Sequence, residues 1–267
     1  MSTLRVGVIN LMPRLETYEP LLVDALRPHD VEPVWIRLAT HGYRSSDPAH
    51  LAARYQTWET ALARGPLDAV LLTGAPVESI DFAAVRYWDE LRAVLGDARK
   101  RCSSTLGVCW GAMALAALEG VEKVCLTRKV FGAYEHPLTA EGARWLPSLD
   151  GRYRCAQSRH AGLDRASVAR AERDGRVVTL AASEATGPTL LATRDGAAVM
   201  HLGHPEYEPG RIAFEWARDR EAGRDDVAPP AGFDAEGRRP TLPWRADSEA
   251  FFQAWINTAR ARQAEVR

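Results

Sequence analysis

The stretch STLGVCWG, residues 104–111, constrains the fold more than any other part of the chain. An apolar, β-type run ends in Gly-x-Cys-x-Gly, and a helical run over residues 112–118 follows at once. This is the layout of a nucleophile elbow, a sharp strand-to-helix turn that holds a nucleophile clear of a sheet, here with cysteine in place of serine. The first-turn N–H groups and the helix dipole would favour the thiolate of Cys109. The alternative is a buried structural cysteine at a strand end.

Short apolar runs alternate with amphipathic runs through the first half of the chain. The apolar runs predict buried strands at residues 4–11, 31–38, 68–73 and 105–109. Helical patterns lie between them, at residues 15–26, 49–64 and about 81–100, with Asp81 as the expected N-cap of the third. This alternation indicates an α/β fold with a doubly wound, mostly parallel sheet and helices on both faces. The ligand site of such a sheet lies beyond the carboxyl ends of its strands, where Asn10, residues 74–78 and Cys109 all fall.

The second half of the chain has a different pattern. Residues 123–136 and 145–159 contain short extended pieces without a clear helix. Three further strand candidates, at residues 177–183, 189–192 and 197–202, predict a meander or an extension of the sheet. A helix is expected from Pro209 to about residue 220, a long surface loop over residues 221–243 and a closing helix over residues 247–262. We therefore expect a single domain over residues 1–267, with its core at about 4–220 and a C-terminal loop and helix at 221–267.

Composition excludes several classes of function. The formal net charge of −1 gives no electrostatic reason to expect nucleic acid or an anionic membrane as a partner. No apolar run reaches transmembrane length, and residues 1–3 lead directly into the first strand without a basic n-region, so we expect no signal peptide. The four cysteines fit neither a zinc site nor a disulfide framework. We expect a cytoplasmic protein with reduced thiols and no bound metal.

A nucleophilic cysteine needs a base, and the base needs a group that orients it. Of the seven histidines, His204 follows a strand end and has Glu206 two residues further on, with Pro205 keeping the backbone out of a helix. Residues i and i+2 of an extended segment project to the same side, so Glu206 can accept from one ring nitrogen while the other faces Cys109. The alternative is a histidine that satisfies a strand terminus. His136 and His160 are competitors for the role of the base.

Seven ordered motifs carry a resemblance to a known family. They are residues 10–13 (NLMP), 73–76 (TGAP), 87–91 (YWDEL), 104–106 (STL), 109–110 (CW), 158–160 (SRH) and 203–207 (GHPEY). Together they resemble the homoserine O-acyltransferases of methionine biosynthesis, whose fold is similar to that of class I glutamine amidotransferases. The resemblance runs from about residue 4 to residue 219. It implies acyl transfer from an acyl-CoA to the hydroxyl of L-homoserine, with no metal or other cofactor.

The resemblance also implies residue roles. Cys109 takes the acyl group, His204 is the base and Glu206 orients it. The elbow also allows the N–H group of Trp110 to point at an oxyanion beside the sulfur, and with an N–H near Gly74 or Ala75 it would form the oxyanion hole.

Three further residues match substrate-binding positions of the family. Lys129 matches a lysine near the acyl donor, Ser158 an active-site serine and Arg218 the arginine that holds the amino acid carboxylate. The alternatives are a solvated charge, a turn serine and a helix-end cation, respectively.

Glu78 matches a position at which glutamate goes with acetyl transfer and glycine with succinyl transfer. The resemblance therefore implies acetyl-CoA as the donor and O-acetyl-L-homoserine as the product. The alternative is a solvated charge just before a helix.

Other functions remain open at this point. The same fold and triad serve glutamine amidotransferases and cysteine hydrolases, and a catalytically silent binding protein could share the fold. Within the acyltransferase interpretation, succinyl transfer is an alternative, and L-serine or another small hydroxy amino acid could be the acceptor. Met113 and Gln157 depart from the family pattern. The resemblance therefore predicts the type of reaction more closely than the identity of the acceptor. A homodimer is compatible with the sequence.

Overall fold

A seven-stranded sheet organises the protein, as seen in a computed structural model that describes residues 3–266. Its strands are β1 (Leu4–Ile9), β2 (Val31–Ile36), β3 (Ala69–Leu72), β4 (Ser104–Val108), β7 (Val177–Ser183), β8 (Gly187–Thr193) and β9 (Ala198–His201). Their spatial order is β2-β1-β3-β4-β9-β8-β7. The first five in spatial order are parallel, whereas β8 runs antiparallel to both of its neighbours. The expected mostly parallel, doubly wound sheet is confirmed.

Helices cover both faces of this sheet. They are α1 (Leu15–Leu26), α2 (Pro48–Arg54), α3 (Trp58–Ala63), α4 (Trp88–Arg101), α5 (Trp110–Leu118), α6 (Ala140–Trp145), α7 (Arg165–Arg173), α8 (Pro209–Glu221) and α9 (Arg245–Val266). The alternation of side chains along a strand separates two apolar clusters. On β3, Leu71 belongs to the cluster that contains α1 and α9, and Leu72 belongs to the cluster that contains α4 and α5. The C-terminal helix is therefore part of the core.

The middle of the chain forms a feature that the sequence patterns did not predict. Strands β5 (Lys123–Pro137) and β6 (Arg152–Leu163) pair in an antiparallel hairpin, with α6 between them. Its strand β6 meets the end of the main sheet through a bridge between Ala156 and His204. The hairpin therefore brings its own side chains to the carboxyl edge, where the elbow lies.

Two expected helices differ from the structure. The run at residues 49–64 is two helices, because Gln56 adds a bridge to Ile36 at the end of β2 and interrupts the helical hydrogen bonds. The helix expected from Asp81 begins at Trp88 instead, after a short 3₁₀ turn at Phe82–Ala84 that the Asp81 side chain does not cap.

Within residues 3–266, no helix is both long and apolar enough to cross a membrane. Met1 and Ser2, which contribute to the expectation of no signal peptide, lie outside the described residues.

Candidate active site

Cys109 lies alone between β4, which ends at Val108, and α5, which begins at Trp110. Its backbone has φ 52° and ψ −115°, a conformation that residues other than glycine rarely adopt. Such strain costs about 1–3 kcal/mol and is found where function requires it. The two glycines of the motif are required because other backbone atoms pack too closely against them to leave room for a Cβ. A Cβ on Gly107 would lie 2.4 Å from the Gly111 carbonyl oxygen, and one on Gly111 would lie 2.5 Å from that of Leu72.

The turn after β3 packs directly against the thiol. A Cβ placed on Gly74 would lie 3.3 Å from Cβ and 3.7 Å from Sγ of Cys109. The N–H groups of Trp110 and Ala75 meet no acceptor in the part of the chain that the structure describes. Two unpartnered N–H donors on segments that flank a cysteine are what an oxyanion hole requires.

His204 and Glu206 are hydrogen-bonded at the end of β9, with Nδ1 and Oε1 2.7 Å apart. Both side chains are buried. The backbone reason differs from the extended segment expected from the sequence. The N–H of Tyr207 donates to the carbonyl of His204, so residues 204–207 form a turn, and this turn closes the two side chains onto each other. Pro205 suits the turn because its φ is fixed.

The electrostatics favour a charged histidine. Burial alone would lower the pKa of His204, but the charges of Glu206 and Cys109, with the hydrogen bond between Nδ1 and Glu206, raise it well above its ordinary value. Burial would conversely raise the pKa of Glu206, yet the charge of His204 and the hydrogen bonds from His204 and Tyr18 lower it. The candidate catalytic row, formed by Cys109, His204 and Glu206, can therefore hold an imidazolium next to a carboxylate.

Two tyrosines support this row, and sequence reasoning did not identify either. The Tyr18 hydroxyl on α1 donates to Oε1 of Glu206, the oxygen that His204 also uses. The ring of Tyr207 stacks on the imidazole with a centroid distance of 4.0 Å and an interplanar angle of 18°. The position of Tyr18 on the apolar face of α1 fits an ordinary core residue, so no sequence signal distinguished it.

Lys129, Ser158 and Arg218 converge on two acidic residues of α8. The Lys129 ammonium lies 2.8 Å from Oδ2 of Asp219 and 3.6 Å from Oε2 of Glu215. The Ser158 hydroxyl donates to Glu215 at 2.6 Å, and Arg218 donates to Asp219 at 2.7 Å.

The same cluster reaches the imidazole through an aromatic ring. The Tyr207 hydroxyl donates to Oε1 of Glu215 at 3.0 Å, and its ring is the one stacked on His204. The cluster therefore adjoins the candidate catalytic row, and Glu215 at its centre is a residue that sequence reasoning missed.

Glu78 follows the turn that packs against Cys109. Its side chain is half-buried, and its Oε2 is a buried acceptor with no hydrogen-bond partner among the described residues. Lys123 binds the backbone carbonyl oxygens of Glu78 and Ile80 and does not pair with this carboxylate. The structure thus leaves a free carboxylate oxygen in the turn after β3.

The two competing histidines have partners elsewhere. His136 is fully buried, with Nε2 3.4 Å from Sγ of Cys155. Burial and the charge of Arg159 lower its pKa to about 4. His160 lies 3.7 Å from the Asp226 carboxylate in the C-terminal loop. The charge of Cys109 acts on the pKa of His204, whereas the charges that act on the pKa of His136 are those of Arg159 and Glu135.

Comparisons with known proteins give one family. The family model described as homoserine O-succinyltransferase matches residues 1–265. The chain is 34% identical to a homoserine O-acetyltransferase of Brevibacillus brevis over 95% of its own length and 83% of that protein. It is 31% identical to one of Petrotoga mobilis over 95% and 82% of the two chains. A glutamine amidotransferase structure from Thermotoga maritima is similar in fold, with a TM-score of 0.57 and 14% identity over 99% of this chain and 98% of that one.

Proposed function

This chain belongs to the homoserine O-succinyltransferase family, and on that premise we propose that it transfers an acetyl group from acetyl-CoA to the hydroxyl of L-homoserine through a Cys109 thioester. The observation that carries the proposal is the strained elbow cysteine next to the buried His204–Glu206 pair. O-acetyl-L-homoserine would then serve methionine biosynthesis. The use of acyl-CoA and four free cysteines both fit a cytoplasmic enzyme.

In the first half-reaction, the Cys109 thiolate attacks the thioester carbonyl of acyl-CoA while His204 holds the proton that the thiol has given up. The N–H groups of Trp110 and Ala75 stabilise the oxyanion that forms. The C–S bond to CoA then breaks, and His204 donates its proton to the departing CoA thiolate. The products are free CoA, an acylated Cys109 and a neutral imidazole.

Loss of the thiolate charge prepares the second half-reaction. Once Cys109 is a neutral thioester, one of the charges that raise the pKa of His204 is gone. The neutral imidazole can then accept the proton of the acceptor hydroxyl as its oxygen attacks the acyl carbon. The C–S bond breaks, the ester leaves, and the thiolate–imidazolium pair is restored. Glu206 keeps Nδ1 protonated and oriented throughout.

The cluster on α8 suits an amino acid acceptor. A free amino acid carries an ammonium and a carboxylate, and the cluster offers groups of both signs. Nε and Nη2 of Arg218 already donate to Oδ1 of Asp219, but the guanidinium is about half exposed at 52%, and its other edge, Nη1 with Nη2, can receive a carboxylate bidentately. We assign acceptor binding to Arg218 with Ser158, and a place near the acyl donor to Lys129.

The choice of acetyl over succinyl rests on Glu78. A succinyl group brings a second carboxylate into the acyl pocket, and the unpartnered carboxylate oxygen of Glu78 would repel it. An acetyl group carries no charge and is shorter. The relatives in Brevibacillus brevis and Petrotoga mobilis are named homoserine O-acetyltransferases, which also supports this choice.

The test is release of free CoA from acetyl-CoA and from succinyl-CoA, each offered with L-homoserine, L-serine and a panel of other small hydroxy amino acids. We expect the fastest release with acetyl-CoA and L-homoserine. A glutaminase assay on the same preparation tests the amidotransferase alternative. Ammonia release from glutamine without homoserine-dependent CoA release would contradict the proposal.

A further inference from the structure

The hydroxyl of Thr73 connects the end of β1 to the turn after β3, and it takes no part in the chemistry of either half-reaction. Thr73 is fully buried and lies directly between β3 and Gly74. Its Oγ1 accepts from the N–H of Leu11 at 2.8 Å and donates to the carbonyl of Gly74 at 3.0 Å. An N–H can only donate and a carbonyl can only accept, so these two partners fix the direction of the hydroxyl proton.

The carbonyl that Thr73 holds belongs to the peptide unit of the proposed oxyanion hole. That unit joins Gly74 to Ala75, and the Ala75 N–H is one of the two donors of that hole. A peptide unit is planar and trans, with its C=O and its N–H on opposite sides. A carbonyl held in place therefore fixes the direction of the N–H in the same plane. The hydroxyl of Thr73 thus orients a donor that it does not touch.

Gly74 does not fix this peptide by its own sterics, because glycine has the widest backbone freedom of any residue. Glycine suits the position because a Cβ there would lie only 3.3 Å from Cβ of Cys109. On the other side of the peptide, Pro76 restricts Ala75 to extended conformations. An oxyanion hole is effective because its donors are oriented before the charge develops. The orientation on the Gly74 side therefore needs a hydrogen bond such as the one from Thr73.

We propose that Thr73 is a positioning residue of the oxyanion hole, whose hydroxyl holds the Gly74–Ala75 peptide in the orientation that stabilises the oxyanion. The bond from Leu11 ties this hydroxyl to the end of β1, which pairs with β3 in the sheet. The branched Cβ of threonine also limits the rotamers of the side chain. The inference rests on acyl transfer at Cys109, the function proposed above, and is independent of which acyl group is carried.

Thr73→Val removes the hydroxyl and keeps the shape of the side chain. We expect the rate constant of Cys109 acetylation, measured as CoA release from acetyl-CoA without acceptor, to fall about 10- to 100-fold, since deletion of an oxyanion-hole donor costs about 10²–10³-fold. Thr73→Ser keeps the hydroxyl and should recover most of this loss. Alkylation of Cys109 by iodoacetamide, followed by peptide mass spectrometry, should be unchanged in both variants, because substitution at a saturated carbon forms no oxyanion.

Thr193→Val is the matched control, because it removes a second buried threonine hydroxyl with the same pattern of bonds. The Thr193 hydroxyl accepts from the N–H of Ala198 at 2.9 Å and donates to Asp195 at 2.6 Å. Ala198 begins β9, which runs parallel to β4, so this hydroxyl lies at the edge of the sheet opposite to Cys109. The rate constant of Cys109 acetylation should be unchanged in Thr193→Val.

A second acyl donor, p-nitrophenyl acetate, separates this inference from the proposed function, because its reaction with Cys109 needs the same oxyanion hole without CoA. Absence of CoA release from the unmodified protein would contradict the proposed function, whereas the variants compared with the ester would still decide the role of Thr73. Acetylation of Thr73→Val at the unmodified rate, a Thr73→Ser variant as slow as Thr73→Val, or equal losses of acetylation and alkylation would overturn the inference. Thr73→Ala gives the same comparison if Thr73→Val does not fold.

Discussion

At the scale of single residues, Glu206 accepts two of the hydrogen bonds on which the candidate active site depends. One carboxylate oxygen accepts from both His204 and Tyr18, while the other has no hydrogen-bond partner within residues 3–266. A fully buried carboxylate is stable only when it is paired, and here the pairing partner is the proposed base. The orientation and the charge of His204 therefore depend on a residue whose side chain is fully buried.

Glu206→Gln should leave the fold intact and reduce kcat by up to about 10⁴-fold, because the imidazolium loses its anionic partner while the amide keeps a similar shape. CoA release at saturating substrates measures this. A kcat near that of the unmodified enzyme would exclude His204–Glu206 as the catalytic pair.

Tyr18→Phe removes one hydrogen bond to the same carboxylate and should cost about 10- to 100-fold in kcat/KM, the range for a bond to a charged group. Tyr134→Phe is the matched control, since that hydroxyl makes only a 3.4 Å contact with the Phe131 carbonyl in the hairpin. Equal losses of kcat/KM in Tyr18→Phe and Tyr134→Phe would show that the Tyr18 hydroxyl does not support the catalytic row.

At the scale of structural elements, the site is assembled from segments far apart in sequence. The elbow, the turns after β3 and β9, α1, the hairpin and α8 all contribute groups to it. The turn after β3 carries Glu78. A carboxylate about 4 Å from the succinyl carboxylate would repel it by roughly 4 kcal/mol at an effective dielectric constant near 20. That corresponds to about a thousandfold discrimination against succinyl-CoA relative to acetyl-CoA.

Glu78→Gly should therefore shift the ratio of kcat/KM values toward succinyl-CoA by a large part of that factor, because both the charge and the volume are lost. Initial rates with the two donors at fixed L-homoserine give this ratio. An unmodified enzyme that prefers succinyl-CoA would refute the acetyl assignment.

Helix α8 carries the proposed acceptor site. Arg218→Lys should raise the KM for the acceptor about tenfold or more, because lysine cannot replace a bidentate guanidinium. Acylation of Cys109 in the absence of acceptor should be unchanged. Arg220→Lys, on the same helix, controls for the loss of a guanidinium on α8. A matching loss in the acylation step would contradict a role in acceptor binding.

The elements that the sequence predicted are those with local signals. The period of apolar residues gave α1 residue for residue, and β-branched runs located β1 to β4 within a few residues. The hairpin was missed because its strands mix polar and apolar residues, with a register shift between Cys125 and Val130. The spacing of His204 and Glu206 indicated their pairing, but Tyr18 and Glu215 enter the site by tertiary packing, which no local pattern reports.

At the scale of the whole molecule, buried neutral histidines tie stability to pH. His136 lies in the hairpin and bonds the hydroxyls of Thr186 and Thr189 at 3.2 and 3.3 Å. Burial lowers the pKa of His136 to about 4, and burial lowers that of His201 to about 3, from an ordinary value of 6.5. The unfolded chain binds these protons more readily than the folded protein does. The free energy of unfolding therefore keeps its full value above pH 6.5 and decreases as the pH falls toward the folded pKa values of the two histidines.

For His136 alone, the shift from 6.5 to about 4 corresponds to about 3 kcal/mol of unfolding free energy. Urea unfolding between pH 8 and pH 4.5 should show this loss, and His136→Asn should flatten the slope while lowering stability at pH 8. His160→Asn, at a part-exposed surface position, is the matched control. An unchanged slope in His136→Asn would show that this ring is not held neutral by the fold.

In the proposed mechanism, Cys109 carries the acyl group between the two substrates. The most direct measurement is intact-protein and peptide mass spectrometry after incubation with acetyl-CoA alone. We expect one acetyl group on Cys109, its discharge on addition of L-homoserine, and no label in Cys109→Ala. An acetyl group on Cys102, Cys125 or Cys155 instead, or transfer to homoserine that persists in Cys109→Ala, would show that Cys109 is not the acyl carrier.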